Sequence, residues 1–315
     1  MQFGIREICD VVFKAKSAGN IGDYVYVAGQ PVLYIDTAKT STMEGAATTV
    51  YAQGGRGNSR LLTWEGEKTL TFTVEDALLS ELGFAILSGA GLFKASSDNK
   101  IYIHKNARAE IGTDGVINLK EALDGEETIS ARSPIFVMST NHGSFGEKLN
   151  GFAVGTEADE DKDLEANKYL SNASIIGTGA GKVAAGSIVF VDFYVEKTSG
   201  VTELIIDAEN FAGYYYVEAS TLFKRQSDGK DLPAELVFPN VKVQSNFTFS
   251  MASTGDPSTF TFTMDAMPGY TRFDKTKKVL CAMNIIDPSV STSGTTDKDS
   301  TATNTADPEV TYPLA

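Results

Sequence analysis

Residues 241–266 read Val241-Lys242-Val243-Gln244-Ser245-Asn246-Phe247-Thr248-Phe249-Ser250-Met251, then a turn, then Thr259-Phe260-Thr261-Phe262-Thr263-Met264-Asp265-Ala266. Val241, Val243, Phe247, Phe249 and Met251 alternate with Lys242, Gln244, Asn246, Thr248 and Ser250. After Ser253-Thr254-Gly255-Asp256-Pro257 the alternation resumes. Period two marks strands with one buried and one wet face. Two such runs around a Gly-Asp-Pro turn predict a long hairpin. Its wet side is built of hydroxyls and amides, with one Lys and one Asp.

Working outward, Leu70, Phe72 and Val74 alternate with Thr69, Thr71 and Thr73 to give another strand. A helix is expected over 75–88, with Thr73 as N-cap, Glu75 and Asp76 in its first turn and Gly89 at its end. Its residues are apolar nearly all round, so it is expected to be covered on more than one side. Ile5, Ile8, Cys9, Val12 and Phe13 follow helical spacing and predict an amphipathic helix over 5–16. Residues 24–35 read as a hairpin around Gly29-Gln30-Pro31. Residues 37–60 are rich in Thr, Gly, Ala and Ser and read as a flexible loop or extended arm. Short strands are expected at 101–104 and 115–119, further strands at 187–197, 203–207, 214–223 and 235–238, and a strand or short helix at 279–286.

The expected division is a first body over 1–124, an inserted solvated region over 125–182, a second part of the first body over 183–287, and a flexible tail over 288–315. The insertion is rich in Gly, Asn, Ser and Asp and carries an acidic run from Glu157 to Glu165.

The 315 residues are 42% hydrophobic, which suits a folded protein with a real core. Lys and Arg total 27 against 41 Asp and Glu, a net charge of −14 that repels nucleic acid on average. The densest basic stretch is Lys275, Lys277 and Lys278. Cys9 and Cys281 make no disulfide framework, so a reducing compartment is expected. No apolar run approaches the ~18 residues of a membrane span, and charges interrupt the N-terminus where a signal peptide would lie.

Chemistry-bearing motifs fail on their spacing. Gly177-Thr178-Gly179-Ala180-Gly181-Lys182 ends like a phosphate loop, but Ile176 and Val183 stand where Gly and Ser or Thr are needed. Asp159, Asp161 and Asp163 imitate the start of a calcium loop, but Leu164 replaces its glycine. His104 and His142 stand apart from the cysteines and have no nucleophile elbow. The expectation is therefore a structural or binding protein, with no catalytic residue, metal or cofactor.

Two segments resemble the tail-tube proteins of tailed bacteriophages, contractile-tailed ones especially. The first is Gly54-Gly55-Arg56-Gly57-Asn58-Ser59-Arg60-Leu61-Leu62, continuing through 68–80 and Gly83–Ala90. The second runs from Leu232-Pro233-Ala234-Glu235 through 243–249 to Gly255–Phe260. The resemblance implies a mainly β fold: an antiparallel β-sandwich or half-barrel with a flanking α-helix and long hairpins. It implies hexameric rings stacked into a hollow tube for genome DNA, placed in the virion and assembled in the host cytoplasm. Sheath, baseplate and tape-measure proteins are the implied partners beyond further copies of the chain.

On that reading Thr69, Thr71, Thr73, Gln244, Asn246, Thr248, Ser250, Thr259, Thr261, Thr263 and Asp265 are lumen candidates. Neutral hydroxyls and amides would let DNA pass, where each Lys or Arg would hold a phosphate. Leu78, Leu82, Phe84 and Ile86 on the helix are subunit-interface candidates, as are Gly54, Gly55, Arg56 and Asn58 in the arm. Two other classes stay open. One is a carbohydrate- or surface-binding β-module using Tyr214, Tyr215, Tyr216 or Trp64. The other is a capsid decoration protein.

Overall fold

A computed structural model describes residues 2–141, 144–248, 251, 253–254 and 258–287. The chain is mainly β, with antiparallel sheets and one α-helix among these residues. Nine strands form the largest sheet. Along its main path lie Pro31–Ile35, Asp10–Ala15, Tyr214–Arg225, Asp231–Val243, Phe260–Ala266, Ser59–Asp76 and Ala38–Gly54, in that order. Phe3–Ile5 adds beside Tyr214–Arg225, and Ala282–Ile285 beside Asp231–Val243.

The two ends of this path are Pro31–Ile35 and Ala38–Gly54, and only Asp36 and Thr37 separate them in the chain. So short a link spans roughly 10 Å at most, so the sheet must roll until its edges approach. The core agrees. Phe13, second from one edge, meets Phe262 from the far side with ring centroids 6.0 Å apart. Val11, Phe13, Val32, Ile35, Phe72, Val74, Val217, Phe238, Phe262 and Met264 close one apolar interior. This is the expected half-barrel.

The helix is Glu81–Ser88, shorter than expected. The strand before it continues to Asp76, because Phe72 and Val74 alternate into the core while Thr71 and Thr73 stay outside. Ser80, not Thr73, is the N-cap: its hydroxyl accepts the Gly83 N–H at 2.9 Å. Gly89, at φ 75°, ends the helix in the left-handed region.

No helix forms over 5–16. Phe3–Ile5 and Asp10–Ala15 are strands, and Val11, Phe13 and Ala15 are buried with period two. Pairing of Val11 with Ala219 and Phe13 with Val217 prevails over the helical spacing. The hairpin expected over 241–266 is also corrected. Asp231–Val243 is one strand, kept continuous through Pro239 by a bulge opposite Tyr215–Val217. It pairs with Phe260–Ala266 only through Val241–Val243. Beyond Val243 the alternation no longer describes a strand: residues 244–248 are irregular, and Phe247 packs edge-on against Phe84 at 5.1 Å. The Gly255-Asp256-Pro257 turn and the tail over 288–315 lie outside the described residues.

A second core occupies residues 101–197. Ile188–Lys197 pairs along its whole length with Ile101–Glu110, and on its other side with Phe136–Asn141, which forms a hairpin with Ser144–Leu149. Ile129, Val137, Leu149, Leu170 and Ile175 join Ile111, Ile117, Val191 and Phe193 in one interior. Residues 125–182 therefore share a core with both flanks, across the boundaries expected at 124 and 182. Glu127 pins this body. Its buried carboxylate meets Lys105 and Lys197, each at 2.5 Å. Burial alone would raise its pKa, but the two ammonium groups and the Asp124 N–H hold it down at about 2.

Candidate conduit face and assembly arm

Strand register sets out one face of the rolled sheet. Thr40, Glu75 and Thr261 form one cross-strand row, and Thr42, Thr73 and Thr263 the next. Glu44, Thr71 and Asp265 form a third, which Lys242 extends. Between these rows, Val74, Phe262, Phe72, Met264 and Val243 point into the core. The outer face is thus threonine hydroxyls with a few acids.

Those polar groups bind one another. The Thr40 and Thr259 hydroxyls donate to Glu75 and lower its pKa, more strongly from Thr259. Asp265 accepts from Thr71 Oγ1 at 3.3 Å and from Gln244 Nε2 at 2.9 Å. Lys242 is drawn back: its ammonium donates to the Ala212 carbonyl and lies 5.0 Å from the Tyr214 ring centre. Further along, Lys14 pairs with Glu218. Lys242 and Lys14 are therefore held by local partners, while Lys39, beside Thr40, lies close enough to Glu75 to help lower its pKa.

Of the lumen candidates, Thr71, Thr73, Thr261, Thr263 and Asp265 share this face, and Thr69 continues it toward the arm. Thr259 and Gln244 border it through their hydrogen bonds. Asn246 and Thr248 are exposed but lie past the end of the strand, and Ser250 lies outside the described residues. Thr40, Thr42, Glu44 and Glu75 belong to the face as well. The alternation of Thr40 and Thr42 with Ser41 and Met43 was the available signal for the first three.

The expected loop over 37–60 is instead the edge strand Ala38–Gly54, paired with Ser59–Asp76. Only the base of this hairpin rests on the core, and residues 42–51 and 55–69 are exposed on both faces. At about 3.3 Å per residue, residues 45–54 reach roughly 30 Å beyond the base. Gly54 is half-buried, while Gly55, Arg56 and Asn58 form the exposed tip. Gly55 and Asn58 have positive φ, as the reversal requires. Val50 faces Trp64, and Ala52 faces Leu62, so an apolar strip lies on one side of the arm. Leu62 is 60% exposed and Trp64 54%.

The helix candidates divide. Leu78 is exposed and Leu82 half-buried, but Phe84 and Ile86 are buried within this chain. As interface residues, Phe84 and Ile86 are corrected: their surfaces are already covered by their own sheet. Tyr214 is exposed and Tyr215 buried, and Trp64 belongs to the arm rather than to a concave face. His104 forms a half-exposed pair with Asp192 at 2.7 Å, and His142 lies outside the described residues.

The YomU/Tube protein family matches residues 3–121 and 157–279, well over half of the chain and including the whole conduit face and arm. This chain belongs to that family. The family name points to a phage tube-like structural protein, associated with the virion. The match omits residues 122–156, which supply Ile129, Val137 and Leu149 to the second core. No curated protein matches the chain. Among the described residues, no helix is long and apolar enough to cross a membrane.

Proposed function

We propose that this chain is the subunit of a phage tail tube, polymerising as hexameric rings stacked into a hollow conduit for genome DNA. The observation that carries this reading is one hairpin with two opposite characters. Its base presents a threonine face over a packed core. Its outer part is an apolar-sided arm with no core of its own. Closing such sheets into a ring removes open edges, and an arm seated on a neighbour removes exposed apolar surface. Apart from Lys39, the lining carries little free positive charge, so passing phosphates find few partners. The subunit works without catalysis, metal or cofactor, and its further partners are sheath, baseplate and tape-measure proteins. Negative-stain electron microscopy of the concentrated protein, alone and with a baseplate template, tests this. Hollow tubes of uniform diameter with six-fold rings are expected, and solid fibres or trimers overturn the reading.

One observation favours a second reading, a carbohydrate-binding module. A cleft of about 470 Å³ is lined by Lys16, Tyr26, Tyr214, Tyr215 and Asn240. Aromatic walls with amide and amine donors suit a sugar ring. Glycan-array binding lost in Tyr214→Ala would support that reading.

A further inference from the structure

Two exposed loops belong neither to the conduit face nor to the arm. The first reads Tyr270-Thr271-Arg272-Phe273-Asp274-Lys275-Thr276-Lys277-Lys278. Its turn is locked: the Asp274 N–H donates to Thr271 Oγ1 at 3.1 Å, and the Thr276 N–H to Asp274 Oδ1 at 2.8 Å. Arg272 anchors it, donating to the Gly29 carbonyl at 3.1 Å and lying 5.7 Å from the Tyr216 ring centre. At its apex Phe273 is 100% exposed.

The second begins in the strand Thr202–Ile205, which pairs with Gly91–Lys94, and reads Glu203-Leu204-Ile205-Ile206-Asp207-Ala208-Glu209-Asn210-Phe211. Asp207 Oδ1 accepts the Glu209 N–H at 2.8 Å and the Asn210 N–H at 2.6 Å. The loop is clamped at the helix end, where a Cβ on Gly89 would lie 2.5 Å from the Phe211 carbonyl carbon. Ile205, Ile206 and Phe211 are exposed, Phe211 at 70%. Both loops thus present large apolar side chains on fixed backbone, which lowers the ordering cost of docking.

We propose that the basic, aromatic loop at 270–278 docks on the acidic, apolar loop at 203–211 of a second copy of this chain. The inference rests on the reading of the chain as a self-assembling subunit. The occupant follows from charge. At −14 per chain, two copies repel on average. Arg272, Lys275, Lys277 and Lys278 against one acid make the first loop a local exception, and Glu203, Asp207 and Glu209 give the second the opposite sign. Every copy carries both halves, so one copy's first loop can engage the next copy's second, and such a head-to-tail contact propagates around a ring or along a filament.

Sedimentation velocity of the full chain tests the contact, using Lys277→Glu, Glu209→Lys and the double variant. All the substituted side chains are exposed, and an unchanged thermal midpoint confirms folding. Each single variant is expected to weaken self-association about ten-fold or more, and the charge-swapped double variant to restore it. Single variants that associate like the wild type overturn the contact while the subunit reading stands. A wild type that remains monomeric at every concentration, with a baseplate template as without one, overturns both. If assembly is intact in Phe273→Ala but binding of a single-stranded oligonucleotide is lost, the loop serves nucleic acid and the proposal fails.

Discussion

The two halves of the long hairpin differ in what lies beneath them. In Leu70–Asp76 every second side chain enters the core: Phe72 and Val74 are fully buried. From Ser59 to Thr69 the same strand keeps pairing with Ala38–Gly54, yet both of its faces meet water. Hydrogen-bonded register therefore persists for some ten residues without a hydrophobic face to support it. An isolated two-stranded ribbon is marginal in water, so the outer half depends on the inner half or on a neighbour. Local pairing sets the shape of the arm, and burial decides where that shape is rigid.

The largest expected effect comes from the inner half. Phe72→Ala removes a fully buried ring stacked 4.9 Å from Phe238. It should cost about 4 kcal/mol and lower the thermal midpoint of the monomer sharply. In the outer half, Leu62→Ser with Trp64→Ser should change monomer stability by no more than about 0.5 kcal/mol. That variant should nevertheless abolish tube formation in electron micrographs. If it destabilises the monomer as much as Phe72→Ala does, the division between the halves is wrong. Hydrogen exchange sharpens the boundary. Amides of 46–69 should exchange quickly in the monomer and become protected on assembly, while those of 70–76 should be slow in both states. Equal protection of 46–69 in monomer and polymer would show that no neighbour covers the arm.

The outer face of the inner half allows a finer test. Thr73→Lys with Thr263→Lys puts two cations into one cross-strand row without disturbing the core. Tubes should still form, but they should retain single- or double-stranded DNA at low salt. The salt dependence of that retention should steepen by roughly one unit for each phosphate that a new lysine binds. DNA retention unchanged from the wild type would place this face away from the conduit.

The same contrast explains what could be read from the chain. The strands at 68–74 and 260–266 are legible because one face is buried and Phe72, Val74, Phe262 and Met264 mark it. The arm is nearly silent. With neither face buried, Thr40 to Thr49 need no apolar period, so small polar residues resemble a loop. Residues 5–16 satisfy two templates at once, since Ile8, Val12 and Phe13 fit a helix while Val11, Phe13 and Ala15 fit a strand. Only pairing with Tyr214–Arg225 decides between them. Phe84 and Ile86 are apolar whether they face their own sheet or a neighbour's. Residues 125–182 contribute core side chains singly between turns, so their shared interior appears only when distant segments meet.

The smallest expected effect lies inside the inner half, at the end of the strand away from the arm. Glu75 is held ionised by the Thr259 and Thr40 hydroxyls, and its pKa lies below the usual 4.5. A carboxylate depressed in the folded state contributes stability above its unfolded pKa. That contribution fades as pH falls from about 4.5 through the lower folded value. Thr259→Val removes the stronger donor and should move the Glu75 titration, followed by NMR, back toward 4.5. Acidification should accordingly lower the exchange protection factors of residues 38–41 and 75–76 before those of 70–74, because protonation weakens the bonds from Thr259 and Thr40. If both segments lose protection at the same pH, the Glu75 bonds do not act locally, and this end of the hairpin is held by burial of Phe72 and Val74 alone.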